Sequence, residues 1–142
     1  MDNVTLQNIM VTPLARISTL GGDVMHALKK TEQVFVGFGE AYFTWADHNY
    51  PKAWKRHTKM TLNLIVPSGE VRFVFHIAGQ KEFRVEDIGV KHYARITVPP
   101  GVWFGFKGLA TQSSLVLNIA SIPHSPDEVE RLPVADLPYD WS

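Results

Sequence analysis

Residues 51–76 read Pro51-Lys-Ala-Trp-Lys-Arg-His-Thr-Lys-Met-Thr-Leu-Asn-Leu-Ile-Val-Pro-Ser-Gly-Glu-Val-Arg-Phe-Val-Phe-His76. A basic, imidazole-bearing segment precedes two apolar runs separated by Pro67, Ser68 and Gly69. Proline presets φ and glycine tolerates φ > 0, so this tripeptide is turn chemistry. Leu62, Leu64 and Val66 alternate with Thr61, Asn63 and Ile65; beyond the turn, Val71, Phe73, Phe75 and Ile77 alternate with Arg72, Val74 and His76. A period of two predicts strands, so the stretch is expected to be a loop feeding a β-hairpin. Asn63, Arg72 and His76 fall off the apolar face and are candidates for a pocket wall.

The rest of the composition narrows the class. A chain of 142 residues is expected to form one domain and to bury roughly 70% of its unfolded surface without staples. There is no cysteine, hence no disulfide framework, thiolate nucleophile or thiolate zinc site. Fourteen basic residues balance fourteen acidic ones, so no overall field steers the chain to nucleic acid or an anionic membrane. No segment approaches the ~20 apolar residues of a bilayer span. The expectation is a soluble cytoplasmic protein with neither a nucleic-acid nor a membrane partner.

Outward from the central stretch, residues 1–20 hold short apolar runs interrupted by Pro13, predicting an edge strand or extended arm. Gly21-Gly22 is a turn, and residues 23–30 are open between a short strand and a helical turn. The aromatic, glycine-punctuated run 34–45 predicts two strands. Further strands are expected at 83–88, 93–98, 102–106 and 114–120. Only 126–130 looks helical, with Ser125 and Glu128 spaced as a capping box. Residues 124–142 form a tail. Short strands with Gly and Pro turns predict an all-β barrel or sandwich, with a jelly roll fitting best.

Pro99-Pro-Gly-Val-Trp-Phe104 resembles the second half-motif of cupins, whose metal-binding histidine is here Phe104. The first half-motif, usually His-x-His, reads Lys55-Arg56-His57. One histidine and a protonated lysine do not make the three-ligand set a divalent metal needs, so no metal and no other cofactor is expected. Lys52-Ala-Trp-Lys-Arg-His57, Val66-Pro-Ser-Gly-Glu-Val71, Pro99-Pro-Gly-Val-Trp-Phe-Gly-Phe106 and the tail from Pro126 to Trp141 together resemble the metal-free dTDP-4-dehydrorhamnose 3,5-epimerase-like (RmlC-like) cupins. The resemblance covers about residues 4–141. It implies a homodimeric jelly-roll barrel and, in the family's enzymes, proton abstraction beside a keto group of a nucleotide-linked deoxysugar, in surface polysaccharide or deoxysugar biosynthesis.

The resemblance also assigns candidate residues. The epimerases' histidine base falls on Lys55 and their late-strand tyrosine near Asn118, while His57 matches the second histidine of the H-x-H-K pattern of the sugar 3,4-ketoisomerases. His57, Lys55 and Asp136 are therefore the catalytic candidates, Asp136 as the supporting aspartate. Imidazole moves protons at neutral pH; Lys55 needs burial or neighbouring cations to lower its pKa. Lys52, Trp54, Lys59, Asn63, Arg72, His76, Phe104 and Asn118 are the candidate substrate contacts. Loss of the tyrosine favours single-site isomerisation, or binding alone, over double epimerisation. The alternative to an isomerase is a non-catalytic cupin that binds a sugar nucleotide or a protein partner.

Overall fold

The computed structural model describes residues 3–142. Its strands are β1 (Met10–Pro13), β2 (Arg16–Ile17), β3 (Val24–Met25), β4 (Glu40–Ala46), β5 (Lys52–His57) and β6 (Leu62–Ser68), followed by β7 (Glu70–His76), β8 (Phe83–Gly89), β9 (Ala94–Val98), β10 (Trp103–Gly108), β11 (Ser114–Ala120) and β12 (Val129–Arg131). Three single 3-10 turns lie at Leu6–Asn8, Pro126–Glu128 and Val134–Asp136. Ten strands form two antiparallel five-stranded sheets, in the orders β1-β9-β6-β11-β4 and β12-β5-β10-β7-β8; β2 and β3 pair separately.

The apolar sets of the alternating strands meet between the two sheets. Leu62, Leu64 and Val66 of β6, with Ile96 and Val98 of β9, pack against Val71, Phe73 and Phe75 of β7 and Ile88 of β8 in one buried cluster. Burial of such side chains contributes about 1.5–3 kcal/mol each, which makes this interface the main source of stability. The topology is all-β and of jelly-roll type. Neither sheet closes on itself, so the expected barrel is instead two open sheets face to face.

The central stretch forms strands where expected but pairs differently. β6 and β7 belong to different sheets, so Pro67-Ser68-Gly69 is a corner between layers and not a hairpin turn. Two strands that are each apolar on one face can bury those faces by opposing them as well as by pairing side by side, and periodicity does not distinguish the two. Gly69, at φ +90°, makes the corner, and a Cβ there would lie 2.1 Å from Ser114 Oγ. That hydroxyl accepts from the Glu70 N–H at 3.0 Å and donates to the Glu70 carbonyl. The segment expected to be a loop ahead of the hairpin is strand β5, flanked by β10 and β12.

Two other expectations are corrected. Residues 34–45 contain only β4, which starts at Glu40; the segment before it lies close to the chain around Ile122, where a Cβ on Gly39 would fall 2.0 Å from the Ile122 carbonyl carbon. The 126–130 segment makes one 3-10 turn and then becomes β12, and Ser125 makes no side-chain cap. The carboxylate of Glu128 is engaged elsewhere.

Candidate active site

β5 carries Lys55 and His57 two residues apart, so both project from the inner face. Lys55 is paired with Phe104 on β10 and with Arg131 on β12, and cross-strand partners share a face. The Pro99-Pro100-Gly101 turn is tied to this strand by the Gly101 N–H, which donates to the His57 carbonyl at 2.8 Å. A register shift between Phe104 and Gly105 against β5 re-aims the side chains at the mouth.

Above Lys55 the two sheets part around a cavity of about 310 Å³. One wall bears Lys52, Lys55, Phe104, Phe106 and Arg131; the other bears Tyr42, Thr44, Leu64, Val116 and Asn118. Three cations thus face a mixed apolar and hydroxyl-amide wall. Burial holds the Lys55 amine below its ordinary pKa, reinforced by the charges of Arg131 and Lys52 and opposed by Glu128. Lys52 also donates to the Trp45 carbonyl at 3.3 Å and lies over the Phe106 ring. On the far wall, Asn118 Nδ2 donates to Tyr42 Oη at 3.1 Å.

His57 lies beneath this cavity and is not part of its lining. It is 6% exposed and stacks on Phe104. Its Nδ1 meets Glu128 Oε1 at 2.5 Å, while Nε2 is buried with no partner. Burial lowers the His57 pKa more than the carboxylate raises it. Glu128 is itself disfavoured as an anion by burial. The His57 hydrogen bond and the Lys59 and Met60 N–H groups, both at 3.1 Å from Oε2, outweigh that and hold its pKa below the ordinary value. The pair is therefore a neutral imidazole whose Nδ1–H donates to a carboxylate.

Of the residues singled out in the sequence, Lys52, Trp54, Lys55, Phe104 and Asn118 border the cavity. Most of Trp54 lies on the other side of its sheet, against Phe83, Tyr139 and Trp141, with its indole N–H donating to the Val134 carbonyl. Asp136 is exposed in the tail, and the carboxylate that meets His57 is that of Glu128. Asn63 is bonded to Thr97 Oγ1 on the outer face, because it pairs with Thr97 and Ile119. Arg72 and His76 do share a face, but it is the outer one: Arg72 forms a two-pronged pair with Asp87, and His76 stacks on Phe83. Lys59 is exposed and reaches the site only through its backbone N–H.

Tyr42, Glu128 and Arg131 were not foreseen. Tyr42 sat in an aromatic run whose register against β11 no local pattern reveals. Glu128 sat in a segment that looked helical, and Arg131 followed it in the tail. Among the described residues no three His, Cys, Asp or Glu side chains converge as a metal-binding group.

A jelly-roll pair of sheets with a cation-lined, partly apolar cavity between them has the form of a small-molecule site. In a dTDP sugar isomerase from Desulfovibrio desulfuricans G20 the same fold recurs at TM-score 0.89 and 32% identity, over 95% of this chain and 91% of that one. The chain belongs to the RmlC-like dTDP-sugar isomerase and epimerase family. The fold is also that of QdtA, a sugar 3,4-ketoisomerase from Thermoanaerobacterium thermosaccharolyticum solved with TDP (TM-score 0.76, 18% identity, 90% of each chain). It is shared as well by the Mycobacterium tuberculosis rmlC epimerase (TM-score 0.83, 14% identity, 98% of this chain and 76% of that one). No protein-family model matches the sequence, and neither does any curated protein sequence.

Proposed function

We propose that this protein isomerises a nucleotide-linked keto-deoxysugar by moving a proton on and off the carbon beside the keto group. The observation that carries the reading is Lys55, a partly buried amine with a lowered pKa that faces the cavity beside two further cations. As the free amine, Lys55 accepts the proton of the C–H next to the carbonyl. The C–H electron pair becomes a C=C bond and the carbonyl pair moves to oxygen. Lys52, Arg131 and the Asn118 amide supply positive charge and hydrogen-bond donors where that oxygen becomes anionic. His57, fixed by Glu128, anchors the end of the same strand two residues beyond Lys55. A cavity of about 310 Å³ is at the small end of ligand sites and suits the sugar end of the substrate, leaving the nucleotide toward the mouth.

The family likeness to a dTDP sugar isomerase favours a dTDP-linked substrate. The test is solvent-deuterium incorporation into dTDP-, CDP- and GDP-linked 4-keto-6-deoxy sugars. Exchange is expected with at least one of them, falling by ~10²–10⁴-fold in Lys55→Gln. Its pH profile should rise with pH through a limb below the ordinary lysine value of ~10.4, because only the neutral amine is a base. Binding of these nucleotides with no exchange at any pH would instead establish the non-catalytic alternative.

The proposal includes a homodimer. On the outer face of the edge strand β4, Phe43 and Trp45 are 63% and 60% exposed and lie beside Leu117 and Leu115 of β11. An apolar patch at an unpaired sheet edge is a natural contact for a second copy.

A further inference from the structure

Resting on that reading of Lys55 as a free amine, but not on the sugar isomerisation, we infer that Lys55 is a covalent modification site. It captures small phosphorylated aldehydes as a reversible imine, and the captured group closes the cavity to the nucleotide sugar. The geometry begins with what Lys55 does not touch. Lys52 and Lys107 each donate to a backbone carbonyl, of Trp45 and Trp141, and a donor held by an acceptor stays an ammonium. Among the described residues no hydrogen bond holds Lys55, whose surroundings act on it only through burial and charge. The side-chain atoms sealed from solvent without a partner are His57 Nε2, Arg95 Nε, Asn118 Oδ1 and Trp141 Nε1. Lys55 Nζ is not one of them, so an amine with no acceptor in the protein is here an amine open to the cavity it lines.

Two cations stand beside it. Arg131 is its direct cross-strand partner on β12, Lys52 lies one turn of the pleat away on β5, and all three line the same wall. Their charges and burial hold the Lys55 amine below its ordinary range, against the opposing pull of Glu128. A lysine kept neutral by burial and neighbouring cations is the form that attacks carbonyls. The same two cations suit a phosphate, and the planar guanidinium can take two of its oxygens at once. Phe104, Phe106, Leu64 and Val116 supply apolar wall for the body of the ligand. The matching molecule therefore carries an aldehyde and a phosphate on neighbouring carbons of a small, flat or compact frame.

Capture balances with no oxidant or reductant. The Lys55 nitrogen pair forms a C–N bond as the carbonyl π pair moves to oxygen, and one N–H proton passes to that oxygen. The nitrogen pair then forms C=N as the C–O bond breaks, and hydroxide leaves with the second N–H proton as water. Hydration of the imine reverses each step.

The probe is pyridoxal 5′-phosphate, whose aldehyde and phosphomethyl group sit on adjacent ring carbons, with plain pyridoxal as the arm lacking the anion. The full chain is incubated with each, reduced with borohydride, and mapped by peptide mass spectrometry; deuterium exchange into the nucleotide sugars is followed on the same samples. Lys55 should be labelled ~10-fold or more faster than the exposed Lys29, Lys81 and Lys91, since each unit by which an amine pKa falls raises the neutral fraction about tenfold near neutral pH. Pyridoxal should label it ~10-fold more slowly, and Arg131→Gln should bring the two probes within ~3-fold of each other. Lys55→Arg, matched to the parent by circular dichroism, should lose this adduct and keep the slow labelling of the other lysines. Labelling of Lys55 no faster than of the exposed lysines, or equally fast with pyridoxal, overturns the inference. If the protein exchanges deuterium while Lys55 stays unlabelled, capture is wrong and the isomerase reading stands; if Lys55 is labelled selectively in a protein that exchanges with no nucleotide sugar, capture stands and the isomerase reading fails.

Discussion

His57 and Lys55 stand two residues apart on one strand, and burial treats them differently. Lys55 opens to the cavity, whereas His57 is enclosed against Phe104 and bonded to Glu128. The pair has a consequence for stability. The folded-state pKa of His57 is lowered, so between that value and the ordinary histidine value of ~6.5 the unfolded chain binds a proton that the folded chain refuses. Stability falls as pH drops through that window. Glu128, also lowered, contributes stability that is present above the ordinary carboxylate pKa of ~4.3 and is lost as pH falls through its folded value. The melting temperature should therefore fall on acidification from pH 7 to pH 5, and His57→Phe should flatten that first limb. An identical pH slope in the variant would mean that the imidazole is not the titrating group. His57 and Lys55 were both singled out from the chain as possible proton carriers; their division into a group in the cavity and a group beneath it depends on what packs over each.

At the scale of elements, the corner between β6 and β7 decides which residues meet. Gly69 holds φ +90° with no room for a Cβ beside Ser114. Gly69→Ala should lose about 1–2 kcal/mol from the left-handed backbone alone, and more from the overlap, as measured by urea unfolding. A loss within 0.5 kcal/mol, roughly the scatter of neutral surface changes, would show that the corner relaxes freely. Alternation along β6 and β7 was legible in residues 62–77, and so was the identity of the buried set. Layer assignment was not: Asn63 seemed to share a pocket wall with Arg72 and His76, yet it lies on the other sheet. The tail shows the same limit. Backbone bonds run both ways between Trp54 and Leu132, while Leu137, Tyr139 and Trp141 cover the indole. Lys107 donates to the Trp141 carbonyl. These contacts hold the edge of β5 in position, and none is foreshadowed by a local pattern in residues 124–142.

At the scale of the molecule, two sheets enclose the apolar core and leave a second apolar surface outside, on β4 and β11. Phe43→Glu combined with Trp45→Glu should convert a dimer to a monomer in light scattering at micromolar concentration while leaving the far-UV spectrum unchanged. A monomeric parent protein, or a variant that stays dimeric, would remove this face from the assembly. What the chain's order of residues determined alone was the all-β class, most strand positions, the apolar set of the core and the family resemblance, because these rest on period-two alternation, turn chemistry and short motifs that are local along the chain. What only the tertiary structure decided was the company each side chain keeps. Tyr42 lies 76 positions from Asn118 and Glu128 lies 71 from His57, and strands that pair through backbone hydrogen bonds carry no mark of their partner in their own sequence.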